Sequence, residues 1–189
     1  MLKFKTIYTS NTFEYSTVEL SELMFWCNEF AKKDLAPKYD GGSYGNLSYR
    51  CNNGGFIITK SGVDLGKKLD PSDFVKVLSC NYNTLEIHVQ GTAPPSSESM
   101  LHYSIYYKRP EITAIFHGHS LPININAEKE KIPQTEKELP YGTIELVKEA
   151  LKLANNNFFN LKNHGFFSLA ETMKEAGYRA IELHNLLNY

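Results

Sequence analysis

Little in this chain favours one sign of charge, one long apolar stretch or a covalent scaffold. Across 189 residues, 20 Lys and Arg face 21 Asp and Glu, a formal net charge of −1. Proteins whose main partner is nucleic acid or an anionic membrane surface usually carry a clear basic excess, so the balance argues against both. No run approaches the ~18 apolar residues that a transmembrane helix needs. Lys3 and Lys5 open the chain without an apolar segment behind them, so no secretory leader is read. Three cysteines, Cys27, Cys51 and Cys80, are odd in number and widely spaced. They read as free thiols in a reducing compartment rather than as a disulfide frame. The expectation is a soluble, cytoplasmic protein.

What is present is ordinary globular material: 42% apolar and 22% charged residues. There are 12 Tyr and 11 Phe against one Trp, which predicts a bulky core. The length suits one domain spanning 1–189. Ser16 and Glu19 have the spacing of a capping box, and Leu20, Leu23, Met24, Cys27, Phe30 and Ala31 follow at helical intervals, so 17–33 is read as a helix. Asn52-Asn53-Gly54-Gly55 separates two β-rich runs, 47–50 and 56–59, and marks a hairpin. Further strands are read at 74–79, 85–89, 112–116, 158–163 and 166–169. A helix should run from about Glu98 to Lys108, and another should open at Tyr141-Gly142-Thr143. Leu169, Met173, Ala176, Ala180, Leu183 and Leu187 form a buried stripe of a last helix. Residues 120–140 read as irregular. Strands interspersed with helices imply a layered α/β domain.

Three of the six histidines stand out. His117 and His119 are two apart at the end of a predicted strand, so both rings look the same way. Gly118 between them leaves the other face free for close packing. His164, in Asn163-His164-Gly165, is a third candidate at a strand end. Three neutral imidazoles leave coordination positions open on a divalent ion, as catalytic zinc sites require. A His-x-His pair also arises as plain surface or core histidines. His88 falls on the polar side of its strand and His184 beside the apolar stripe of the last helix, and neither is given a role. His102 lies one turn after Glu98 and within its reach.

Glu98 is expected in the first turn of its helix, where an acid stabilises the positive dipole end by ~0.3–1 kcal/mol without any catalytic role. Ser96 and Ser97 serve as ordinary caps on the same reading. The functional alternative uses the same physics, because a helix N-terminus also holds phosphate through unpaired N–H groups. Gly45-Asn46 and Ser61-Gly62 are further turns of that kind. A phosphate cradle made of turns suits a near-neutral protein.

Asn46-Leu47-Ser48 after Gly45, Ile58-Thr59-Lys60-Ser61-Gly62, Pro95-Ser96-Ser97-Glu98, His117-Gly118-His119-Ser120, Pro140-Tyr141-Gly142-Thr143 and Asn163-His164-Gly165 follow one another in this order. Taken together, from about residue 17 to 187, they resemble the class II aldolase/adducin family, nearest to its L-fuculose-phosphate aldolase type. The resemblance implies an α/β/α sandwich with a central, mostly antiparallel sheet. It implies zinc held by His117, His119 and His164, with Glu98 as acid/base and in contact with the metal when no substrate is bound. It implies that Asn46, Ser61, Gly62, Ser96 and Ser97 hold a sugar phosphate, and that the chain forms a homotetramer with sites at subunit interfaces. The implied reaction splits a phosphorylated ketose into dihydroxyacetone phosphate and an aldehyde through a zinc-stabilised enediolate.

Two departures bear on this. The 23 residues from His119 to Gly142 are a shorter stretch than in the aldolases resembled, whose longer segment carries a Tyr reaching a neighbouring site; 120–140 has none, which leaves Tyr141, Tyr189 or another aromatic as substitutes. The chain also ends soon after the last helix. Alternatives of the same fold are a sugar-phosphate epimerase, a dehydratase or a decarboxylase. Family epimerases usually carry Asp where this chain has Glu98. A non-catalytic adducin-like binding domain usually lacks the histidines present here.

Overall fold

A computed structural model describes residues 4–188. Met1–Lys3, part of the stretch where no leader is read, and Tyr189, one substitute for the aldolase tyrosine, lie outside the described residues. One sheet of eight strands runs through the middle: β1 (Lys5–Ser10), β4 (Asn46–Arg50), β5 (Phe56–Thr59), β6 (Phe74–Asn81), β7 (Glu86–Gln90), β8 (Ala114–Gly118), β9 (Phe158–Leu161) and β10 (Gly165–Ala170). Their order is β1-β7-β6-β5-β4-β8-β10-β9, and only the β1–β7 pair is parallel. Two short strands, β2 (Lys38–Tyr39) and β3 (Gly42–Ser43), pair separately.

Helices cover both faces. α1 (Thr17–Lys32), α3 (Leu121–Asn126) and α5 (Met173–Leu187) pack into one apolar cluster with Leu47, Phe116 and Phe166. α2 (Ser99–Lys108) and α4 (Ile144–Leu153) pack into a second with Ile58, Val89 and Phe167. Because both faces are covered, central strands are buried along their whole length, as β10 is from Gly165 to Ala170. Each fully buried Leu, Ile or Phe contributes ~1.5–3 kcal/mol of transfer free energy. The expected α/β/α sandwich with a mostly antiparallel sheet is the fold observed.

Local signals explain most element ends. Ser16 caps α1 by accepting from the Glu19 amide, and Thr143 and Thr172 cap α4 and α5 in the same way. The last of these corrects the sequence reading: Leu169 belongs to β10, and α5 begins only after the Thr172 cap. Residues 120–140 are less irregular than expected. Ser120 caps the short helix α3 there, with Pro122 in its first turn. β1 has no counterpart in the sequence reading. It is an edge strand with no residue fully buried, so it carries no periodic apolar signal.

The α1–α5 contact imposes a steric rule. A Cβ built on Gly177 meets ring atoms of Trp26 at 2.2 and 2.3 Å. At an ordinary helix interior, Gly→Ala gains up to ~1 kcal/mol. Here the sign should reverse: Gly177→Ala should cost ~1–3 kcal/mol through overpacking, read as a lower urea midpoint with an unchanged slope.

Candidate functional site

His117 is the penultimate residue of β8, and the strand delivers it fully buried. Its Nδ1 lies 2.8 Å from the Phe166 carbonyl oxygen on β10. A carbonyl only accepts, so the proton sits on Nδ1 and Nε2 carries a lone pair in the neutral ring. His119 follows just beyond the strand, its backbone N–H bonded to Leu35 O at 2.8 Å. His164 enters from the turn between β9 and β10, where Asn163 takes a left-handed φ of 57°. An Asn tolerates that conformation at little cost. The three rings converge, with centroid separations of 5.0, 5.2 and 5.1 Å.

Close backbone approach makes the convergence possible. A Cβ on Gly165 would lie 2.4 Å from the Gly118 oxygen and 2.9 Å from the His117 ring. A Cβ on Gly118 would strike Phe166, which bears out the close packing read for that position.

Glu98 is the residue before α2, not a member of its first turn, and its side chain makes no capping bond. It is 5% exposed, so it is not a solvated acid serving the helix dipole. Oε2 accepts from Asn46 Nδ2 at 2.8 Å and lies 3.0 Å from His117 Nε2, while Oε1 lies 3.3 Å from His164 Nε2. Burial alone would raise this carboxyl, but positive charge at the His117 and His164 rings, with the Asn46 amide, outweighs it and holds Glu98 well below the usual carboxylate range. A cation among neutral rings acts in the same direction. The 3.0 Å approach is not a well-aligned hydrogen bond, and His117 Nε2 and Glu98 Oε1 are both buried without one. With the proton of the neutral ring committed to Phe166, the two facing atoms are both acceptors. A cation is what satisfies them together.

A divalent metal fits this donor set. The ligand atoms of His117, His119 and His164 lie within 4.8 Å of one another. Two metal–nitrogen bonds of ~2.0–2.1 Å at a tetrahedral angle span ~3.4 Å, so ring shifts of ~1–1.5 Å place all three around one ion. Burial pushes the His119 imidazole down to about 3, with His117 and His164 adding to the effect against Glu98, so its ring is neutral and able to ligate at neutral pH.

A cavity of about 690 Å³ opens from this cluster. Glu98, His119 and His164 line one part, and Asn46, Ser61, Gly62, Ser96 and Ser97 line it as well. The structure therefore brings the sequence-predicted residues to one place. Asn46, expected at a phosphate, spends one amide N–H on Glu98. The backbone stitches the two serine turns together through Ser61 N–H to Pro94 O at 2.9 Å and Ser96 N–H to Thr59 O at 3.2 Å. Tyr44, 5.1 Å from the His119 ring, Glu138, Asn163 and Tyr141 also line the cavity.

A profile of the class II aldolase and adducin N-terminal domain matches residues 22–189. The chain belongs to the class II aldolase and adducin family. Within that family it is 26% identical, over an alignment of 187 residues, to a methylthioribulose-1-phosphate dehydratase of Pectobacterium carotovorum, covering 84% of this chain and 86% of the relative. A dehydratase of the same description from Yersinia enterocolitica is 32% identical over 114 residues, 60% of this chain and half the length of that relative. Among solved structures of the class, an L-fuculose 1-phosphate aldolase superposes with a TM-score of 0.72 at 26% identity, covering 92% of this chain and 84% of the other. A sugar-phosphate aldolase of Thermotoga maritima superposes with a TM-score of 0.75 at 19% identity, covering 90% and 92%, a likeness of fold. No helix among the described residues is long and apolar enough to cross a membrane.

Two histidines set aside in the sequence are buried in polar contacts instead. His184 Nδ1 lies 2.8 Å from Ser120 Oγ, tying α5 to the residue after His119. His102, read as a neighbour of the Glu98 side chain, has its Nδ1 2.8 Å from Ser48 Oγ, which also meets Tyr106 OH at 2.8 Å. The partners are 64 and 54 positions away, and no local pattern announces them.

Burial is the main cause that pushes His102 down to about 3, partly opposed by Glu98 and aided by His117. An unfolded imidazole titrates near ~6.5. Below that value the unfolded chain takes a proton that the folded chain refuses. This share of the stability is therefore full above pH ~6.5 and is lost as pH falls toward the folded value. His102→Gln, which cannot titrate, should show a shallower loss of unfolding free energy than the wild type between pH ~6.5 and ~4. Urea unfolding across that range measures it; parallel acid limbs in the two proteins would count against the assignment.

Proposed function

We propose that this chain is a divalent-metal lyase acting on a ketose 1-phosphate, with zinc as the ion that a three-imidazole set favours. The observation that carries the reading is the convergence of three imidazoles and a buried carboxylate on one cavity whose lining also includes the serine turns. His117, His119 and His164 would hold the ion. When bound, it supplies Lewis-acid polarisation of the substrate carbonyl.

The chain's own groups do the rest. The Gly62 and Ser97 amides and the Ser61, Ser96 and Ser97 hydroxyls hold the phosphate, with Asn46 beside them, and so anchor the substrate away from the reacting bond. Glu98, ionised at neutral pH, takes the proton from the carbon beside the carbonyl or returns one to it. The Asn46 amide keeps Oε2 in place, and Phe167, stacked on the His117 ring at 4.5 Å, helps keep water from the inner side.

Dehydration is the first reading of the reaction that this proton transfer serves. Glu98 takes the proton from the carbon beside the carbonyl and passes it to the hydroxyl one carbon further on, so that this C–O bond breaks, water departs and a C=C bond forms between the two carbons. The Pectobacterium relative that matches most of its own length is named for that reaction. Aldol cleavage is the second reading, favoured by the 26% identical aldolase structure. It requires a base for the hydroxyl beyond the broken bond, and 120–140 supplies no Tyr for it. Methylthioribulose 1-phosphate and L-fuculose 1-phosphate, each supplied with zinc, cobalt and manganese, separate the two. Loss of water from the first supports dehydration, release of dihydroxyacetone phosphate from the second supports cleavage, and inertness toward a wider ketose 1-phosphate panel would refute the lyase assignment.

His117→Ala should abolish the roughly stoichiometric metal found in the wild type by elemental analysis. Glu98→Gln should keep that metal while turnover falls ~10²–10⁴-fold. Equal, negligible metal in wild type and His117→Ala would remove the ion from the mechanism, and normal turnover by Glu98→Gln would remove the carboxyl.

The homotetramer is part of the same proposal. Leu121, Ile125 and Leu186 stand 73%, 69% and 69% exposed on α3 and α5, two helices that pack together next to the His119 loop. Sedimentation of the metal-loaded protein should give four times the chain mass; a monomer at micromolar concentration would contradict it.

A further inference from the structure

Lys60 is the only Lys or Arg among the described residues lining the candidate cavity, which also carries the carboxylates of Glu98 and Glu138. A phosphate monoester brings a charge of about −1.5 to −2 into that space. Neutral serine and glycine turns supply donors but no formal positive charge. Lys60 is built into those turns: its backbone bridges Pro95, and its neighbours Thr59 and Ser61 bond Ser96 and Pro94. Its Nζ, however, is turned away. It lies 2.7 Å from Asp73 Oδ1 and 3.4 Å from Ser72 O. Asp73 lines an adjoining cavity, and Lys60 and Gly62 line both.

The holding contact is one that the chain can give up. The Lys60 and Asp73 side chains are 28% and 17% exposed, and a partly hydrated ion pair of this kind adds little net stability. Asp73 is not orphaned by its loss, because Oδ2 still accepts the Asp70 N–H at 3.0 Å and closes the capping box of the 71–73 turn. A lysine carries its point charge on a flexible four-carbon stem and can change partner by rotation alone.

We propose that Lys60 is the cationic arm of the phosphate subsite, parked on Asp73 until a phosphate monoester displaces that carboxylate. The proposal rests on the ketose 1-phosphate reading and deepens it. It makes Asp73 a competitor of the substrate for one ammonium group. The two residues should therefore act with opposite sign, and the effect of Asp73 should exist only while Lys60 is present.

Calorimetric titration of the metal-loaded full chain with inorganic phosphate tests this. Lys60→Met should weaken phosphate binding about tenfold or more, Lys60→Arg should keep most of the affinity, and Asp73→Asn should tighten it severalfold. The double variant should match Lys60→Met, and thermal melts identify any variant that has lost its fold. Phosphate binding by Lys60→Met within twofold of wild type, or tightening by Asp73→Asn that persists in the double variant, would overturn the role of Lys60 and leave the lyase reading intact. A wild type that neither binds phosphate nor turns over any ketose 1-phosphate would overturn both.

Discussion

The site depends on two buried acceptors held 3.0 Å apart, His117 Nε2 and Glu98 Oε2. While the imidazole is neutral, neither can satisfy the other. The Phe166 carbonyl fixes the imidazole tautomer from behind, and the Asn46 amide fixes the carboxylate from the side. Two lone pairs facing each other in a low-dielectric interior are costly, and the cost is removed only by positive charge between them or beside them. His119 and His164 complete a donor set that a divalent ion fits. The sandwich exists on independent grounds, because its two apolar clusters lie on opposite faces of the sheet. The candidate site lies where β8, β10 and the start of α2 meet.

Much of this was legible in the chain. Strand alternation, carried one residue past the end of β8, puts His117 and His119 on one side, and the strand at Ala114–Gly118 overlaps the β-rich run read at 112–116. The hairpin of β4 and β5 sits at its Asn-Asn-Gly-Gly turn. Glu98 was ambiguous for a physical reason. An acid before a helix satisfies the dipole whether it points to water or to a site, and only its burial decides between the two. His164 lies 45 positions beyond His119, and only tertiary pairing or resemblance to a family links them.

Other parts were not legible. Three of the six positions of α3 are Asn or Pro, a composition that argues against a helix. Its existence rests on the Ser120 cap and on packing Ile123 into the core. β1 is exposed enough to lose its alternation, and its place is set by backbone pairing to β7. His102 and His184 fall on the buried faces of α2 and α5, but their polar partners lie far away in sequence, so what each ring bonds follows from the fold and not from its neighbours.

The donors of the candidate centre also belong to parts of the chain that translation delivers far apart in time. Asn46 opposes His117 across β4 and β8, and β10 must pair with β8 before His164 can reach the cluster. A ribosome-bound fragment that has not yet released β10 holds at most an incomplete set of ligands. The full set of three imidazoles therefore comes together only when the central sheet has closed.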